Sequence, residues 1–162
     1  MNNMAHAVLR LLEENKIDHT LAEHPAVFNM EELYAQGLEH CDAIAKNLLV
    51  RDQKKRFYWL LVLYGEKRAD LKALKARLGH GALSFAGAEE LAELLGLTPG
   101  SVTPFGALND KEHRVTILLD GDYRGKLIGV HPNDNTATVW LPADALVELL
   151  RQQGTTVEFI PF

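Results

Sequence analysis

Ala43-Ile44-Ala45-Lys46-Asn47-Leu48-Leu49-Val50 and Phe57-Tyr58-Trp59-Leu60-Leu61-Val62-Leu63-Tyr64 are two apolar runs joined by a polar, basic segment, Arg51-Asp52-Gln53-Lys54-Lys55-Arg56. This pattern predicts a β-hairpin with a charged tip. Lys46 interrupts the first run. Burying an ammonium without a partner is costly, so a lysine there stands at the strand's mouth or has a purpose.

Working outward from the hairpin, Ala7, Val8, Leu11 and Leu12 recur at helical spacing in residues 4–15. A short strand at 19–22 is broken by His24-Pro25, because the residue before proline is pushed to extended geometry. Asn29 caps a second helix, with Glu32 completing a capping-box pattern and Gly37 closing it. After the hairpin, helices are predicted at 70–78 and 88–95, stopped by Gly79 and Gly96. A turn-rich loop follows, Thr98-Pro99-Gly100-Ser101-Val102-Thr103-Pro104-Phe105-Gly106. It is the expected rim of a site. Strands at about 114–119, 127–131 and 136–141 precede a helix opened by Pro142 and running to about 152, and a last strand covers 156–160. Strands outnumber helices, and hairpins mix with crossover helices. The expectation is one mixed α/β (α+β) domain over residues 1–162, with a strongly curved, barrel-like central sheet flanked by helices.

Composition narrows the function. No apolar run approaches the roughly 20 residues a bilayer span needs, and Met1-Asn2-Asn3-Met4 leads into a helix pattern, not a signal layout. The single cysteine, Cys41, excludes an internal disulfide and suits a reducing cytoplasm. Net charge is −5, which argues against a general nucleic-acid binder. Its distribution is uneven, however. Residues 46–77 hold ten basic and three acidic residues, a local charge of +7 against −12 for the rest. A basic face on an acidic protein suits docking of one end of a nucleic acid; a solvated hairpin tip is the plainer explanation.

Familiar chemistries are absent. The seven histidines form no i, i+4 pair and there is no CxxC, so no metal site is predicted. There is no G-x-S-x-G, P-loop or dinucleotide fingerprint either. What remains is Lys46, Asn47, His131 and the Gly100–Pro104 loop. Lys46 offers a fixed cation for a phosphate or a developing oxyanion. Asn47 offers an amide donor and acceptor. His131 ends a strand just before a proline turn, where it is able to position a hydroxyl or carry a proton. The same residues also admit structural uses: a snorkelling lysine, a hydrogen-bonded strand end, turn glycines.

Several motifs then add up. His24-Pro25-Ala26-Val27-Phe28, Lys46-Asn47-Leu48, Leu83-Ser84-Phe85-Ala86, Gly100-Ser101-Val102-Thr103-Pro104-Phe105, Asn109-Asp110, and His131-Pro132 followed by Asn135 and Ala137-Thr138 stand in this order. Together they resemble the YbaK/prolyl-tRNA synthetase-associated editing domain family over essentially the whole chain. The Thr-Pro-Phe, Asn-Asp and His-Pro elements look like its free-standing alanyl-tRNA(Pro) deacylase branch. The resemblance implies hydrolysis of the ester joining a wrong amino acid to the 3′ end of tRNA(Pro), without cofactor or metal. A proline-activating pocket cannot strongly exclude the smaller alanine, because each missing methylene costs only about 1–3 kcal/mol. A second sieve is therefore needed, one that admits alanine and rejects proline.

On this resemblance Lys46 would anchor the terminal adenosine's phosphate or neutralise charge near the ester, and Asn47 would orient the same end. Gly100, Ser101, Val102, Thr103 and Pro104 would cradle the ester and the attacking water. Gly129 and His131 would line the amino-acid pocket, and Val27, Phe28 and Met30 would form its size-excluding wall. Arg51, Lys54, Lys55, Arg56, Lys72 and Lys75 would meet the acceptor stem. They would compensate for Ala82, where relatives often carry a basic residue. The implied partner is the acceptor end of mischarged tRNA(Pro), with prolyl-tRNA synthetase or an elongation factor beside it; the setting expected from the lone cysteine is the cytoplasm, and a monomer is the default expectation. Two other readings compete: a deacylase for Cys or Ser, and a non-catalytic binder of tRNA or amino acids.

Overall fold

The computed structural model describes all residues 1–162. In chain order the elements are α1 (Asn3–Glu14), β1 (Thr20–Glu23), α2 (Met30–Tyr34), β2 (Lys46–Asp52), β3 (Tyr58–Leu63), α3 (Leu71–Leu78), β4 (Leu83–Phe85), α4 (Ala88–Leu95), β5 (Val115–Asp120), β6 (Leu127–Val130), β7 (Ala137–Pro142), α5 (Ala143–Gln152) and β8 (Val157–Ile160). The expected hairpin is β2 and β3, paired antiparallel with Lys46 opposite Leu63 and Arg51 opposite Tyr58. It lies inside a five-stranded sheet of order β4-β2-β3-β5-β8, where β3–β5 and β5–β8 run parallel.

The fold is mixed α/β as expected, but its strands do not close into a barrel. A second, antiparallel sheet of order β1-β7-β6 stands apart. The two sheets touch at one parallel bridge between Ile44 and Gly129, supported by the Ala45 N–H donating to the Gly129 carbonyl at 3.0 Å. Gly129 makes this approach feasible. A Cβ there would lie 2.7 Å from Trp140 Nε1 and 3.0 Å from Ile44 Cγ1. The main core fills the space between the sheets and α1, α4 and α5, including Leu60, Val62, Ile117, Val139 and Leu150. A smaller core lies on the opposite face of the large sheet, where Leu74 of α3 packs on Val50, Trp59, Leu61 and Leu63. Burial of such side chains is the main driving force of folding, at about 25 cal/mol per Å².

Local differences from the sequence reading have simple causes. Cys41–Ala43 is a 3-10 turn, so β2 starts at Lys46. At its far end, the Asp52 carboxylate accepts from the Arg56 and Phe57 N–H groups at 2.8 and 3.0 Å, which shortens the turn and extends the strand. Asn29 caps α2 through the Glu32 N–H at 2.8 Å, while the Glu32 carboxylate reaches the N–H of Phe28 instead of that of Asn29. Pro142 ends β7 and caps α5 from outside. Strand β4 was not anticipated; three residues are too few to show alternation. No helix is long and apolar enough to cross a membrane.

Candidate active site

Where the two sheets meet, they leave a cavity of about 310 Å³. Its floor is Ile44, Ala45 and Val130, and its walls include Val27, Met30 and Leu33. Lys46 and Asn47 enter from the start of β2, His131 from the end of β6, and Gly100 and Val102 from the turn-rich loop. The fold thus gathers Lys46, Asn47, His131, Val27, Phe28, Met30, Gly100 and Val102 around one space.

The remaining loop residues stand behind the cavity. Thr103 is fully buried, and its hydroxyl donates to the His131 carbonyl at 2.6 Å, fixing the backbone that carries the imidazole. Pro104 starts a buried 3-10 helix, Pro104–Asn109. The Ser101 hydroxyl is engaged with Thr98. Gly129 is the contact point of the sheets, not a wall of the pocket. Phe28 is 67% exposed, so it stands at the mouth where it packs over Gly100; a Cβ on Gly100 would be 2.8 Å from the Phe28 ring.

The polar groups facing the cavity are largely unspent. Lys46 has no ion-pair or hydrogen-bond partner within the chain. Asn47 makes one long contact through Nδ2 to the Ala45 carbonyl at 3.4 Å, and its buried Oδ1 has no partner. A buried acceptor left unpaired costs stability and is a point where a ligand's donor gains most. His131 Nδ1 lies 2.7 Å from the Ala137 carbonyl. A carbonyl only accepts, so Nδ1 carries the proton and neutral His131 presents a bare Nε2. Burial, followed by nearby His24, lowers the His131 pKa from its ordinary 6.5, against the opposing pull of the Ala137 bond. The imidazole is therefore neutral at physiological pH.

Two polar residues at or behind the cavity, Thr138 and Asn135, fell within quoted motifs without being given roles. Thr138 lines the space, and its hydroxyl meets His24 Nε2 at 2.9 Å. His24 Nδ1 donates to the Pro25 carbonyl, so Nε2 accepts from Thr138. Asn135 Nδ2 donates to the Val27 carbonyl at 2.8 Å and ties the wall to the His131 turn. Of the predicted nucleic-acid contacts, Lys54, Lys55, Arg56 and Lys72 are exposed and Lys75 half-buried. Arg51 is committed internally: it turns to the opposite face and pairs with Glu90 at 3.1 Å, alongside the Tyr58 hydroxyl. No cluster of His, Cys, Asp or Glu is arranged to hold a metal ion.

Such a site, a small apolar chamber with a free cation and two free acceptors at its mouth, fits an enzyme acting on a small polar-headed group. Comparison with known proteins gives the class: the chain matches the aminoacyl-tRNA editing domain over residues 24–149 and belongs to that family. Among its relatives is the prolyl-tRNA editing protein ProX of Acetoanaerobium sticklandii, 41% identical over 155 residues, covering 95% of this chain and 94% of the relative. Prolyl-tRNA synthetase associated domain-containing protein 1 of Xenopus laevis is 31% identical, with 91% and 90% covered. A crystal structure described as a proposed trans-editing enzyme for prolyl tRNA synthetase superposes with a TM-score of 0.73 at 25% identity, covering 100% of this chain and 99% of the other.

Proposed function

We propose that this chain is a trans-editing hydrolase that deacylates mischarged tRNA(Pro), and that its preferred cargo is alanine. The observation that carries the reading is the unpaired trio of Lys46 Nζ, Asn47 Oδ1 and His131 Nε2 at the mouth of a small apolar cavity. Family membership and the ProX relative support the reaction class.

The chemistry follows from the groups. A water oxygen attacks the ester carbonyl carbon and the carbonyl oxygen becomes an oxyanion. When that intermediate collapses, the bond to the ribose oxygen breaks, giving free amino acid and a ribose hydroxyl. Lys46 stabilises the negative charge as it develops, an interaction stronger in the transition state than before it. Neutral His131 accepts a hydrogen bond from the attacking water through Nε2, and Asn47 holds the aminoacyl-adenosine end. In this proposal Val27, Ile44 and Val130 supply the wall that admits a methyl side chain and rejects a pyrrolidine ring. On this reading the acceptor end of tRNA(Pro) is the partner. The setting is the cytoplasm, and the chain acts as a monomeric unit that competes for charged tRNA with prolyl-tRNA synthetase or an elongation factor.

The test is a panel of tRNA(Pro) charged with Ala, Cys, Ser or Pro. Fast release of Ala with Pro spared is expected. Release of Cys or Ser with Ala spared would reassign the cargo, and binding without turnover would make the chain a non-catalytic binder.

A further inference from the structure

The far end of β2 carries a feature that the cavity does not use. Phe57 and Phe85 are 48% and 54% exposed, two of the four large apolar side chains left open to solvent. They sit on the same face of the large sheet: Val50 is paired with Trp59 on one side and with Phe85 on the other, and Phe57 stacks on Trp59 with ring centroids 6.1 Å apart. His80, just past the end of α3, is wedged edge-on against both rings, 4.9 Å from Phe57 and 4.8 Å from Trp59. The Phe57 ring is therefore held, not loose. The Asp52 carboxylate fixes the adjoining turn through the Arg56 and Phe57 amides. In that turn, directly before Phe57, Lys54, Lys55 and Arg56 are exposed.

We propose that Phe57 and Phe85 form a stacking platform for unpaired bases near the 3′ end of the bound tRNA, with the lysines and arginine of the turn on its phosphates. The proposal rests on the deacylase reading of the cavity. Lys54, Lys55 and Arg56 outnumber the buried, amide-bound Asp52 in the turn on a chain of net charge −5, which favours a polyanion over a generic protein surface. Exposed aromatic faces beside a basic groove are how single strands are held without base-specific hydrogen bonds. Distance supports it as well: β2 runs straight from Lys46 to the Asp52 turn, about 20 Å at strand rise, a span that a few extended nucleotides cover. One strand thus measures the separation between the ester and the beginning of the stem. In this chain the platform also stands beside Ala82, which offers no charge of its own.

The experiment compares wild type with the double variant Phe57→Ala/Phe85→Ala on two substrates, alanyl-tRNA(Pro) and alanine esterified to adenosine alone. Binding of uncharged tRNA(Pro) is measured in parallel. The expected result is a loss of roughly tenfold or more in tRNA affinity and in kcat/KM on the charged tRNA, carried by KM. The adenosine ester, too short to reach the platform, is turned over as by wild type, which also reports that the variant is folded. Phe57→Trp/Phe85→Tyr restores binding. Equal tRNA affinity of wild type and the alanine variant overturns the platform and leaves the face to a protein partner. If wild type hydrolyses neither ester, the deacylase reading fails, and the tRNA affinities still decide the platform.

Discussion

Two lysines close to the ends of central strands are treated in opposite ways. Lys67 follows β3 and is saturated: its ammonium lies 2.9 Å from the fully buried Asp120 carboxylate, 2.6 Å from Asp122 and 3.3 Å from the Phe162 carbonyl. The bond to Asp122 and then Asp120 raise its pKa above the ordinary lysine value. Lys46 opens β2 and has none of this. One cation completes the fold, because Asp120 would otherwise be a buried charge without a counter-ion. The other contributes nothing that the fold requires, and it faces a cavity. The difference separates a charge that the fold uses from one that it leaves free, without reference to any relative.

The largest expected effect comes from removing the unpaired lysine. Lys46→Ala should lower kcat/KM for alanyl-tRNA(Pro) by roughly 10²–10³-fold, the usual loss for one preorganised stabiliser of a developing oxyanion. Its melting temperature should stay near wild type, because no contact is lost. Normal turnover by this variant would end the role given to Lys46. Lys67→Met should do the reverse. It strands Asp120 with only the Tyr64 and Asp122 amides as donors, and urea unfolding should show a loss of about 2 kcal/mol. Turnover per folded molecule should be unchanged. A catalytic defect in Lys67→Met with wild-type stability would dissolve the contrast.

The sequence reveals these two lysines unequally, and the reason is physical. Lys46 stands out because it breaks an apolar run, and runs are local. The helix capped at Asp70 and Gly79, and α4 with its Gly96 stop, are local too and lie within a residue of where spacing places them, while the hairpin forms as expected with its first strand shifted by two to three residues. What spacing could not show is long-range. The partners of Lys67 are more than fifty positions away, and the split into two sheets hangs on one bridge between Ile44 and Gly129. Thr103 and Gly129 carried the right motif but a different task, because a motif does not say which atoms face inward. Arg51 counted toward the basic segment until the strand's alternation turned it to Glu90.

That single bridge supplies an intermediate prediction. Gly129→Ala drives a methyl into the Trp140 indole and Ile44, so one of them must move. Overpacking of this kind costs about 1–3 kcal/mol. Because the bridge is also the cavity floor, stability and turnover should fall together, unlike in either lysine variant. A fully active, fully stable Gly129→Ala would mean that the sheets are not held in register at this point.

The smallest effect is the pH response of His131, and it extends the comparison to a third half-buried polar group. Its folded pKa lies below the unfolded value of 6.5, chiefly through burial. The folded state therefore resists protonation while the unfolded chain accepts it. The contribution to stability is complete above the unfolded pKa and is lost as pH falls through the folded one. Protonation also converts Nε2 from acceptor to donor and places a second cation in the cavity with Lys46, where it cannot orient water as a neutral ring does. Both consequences run the same way: kcat/KM should be flat above neutrality and decline on the acid side below 6.5. His131→Gln cannot titrate, and the amide oxygen it offers is still an acceptor. It should keep part of the activity and lose that acid limb. An identical acid limb in His131→Gln would show that His131 is not the titrating group.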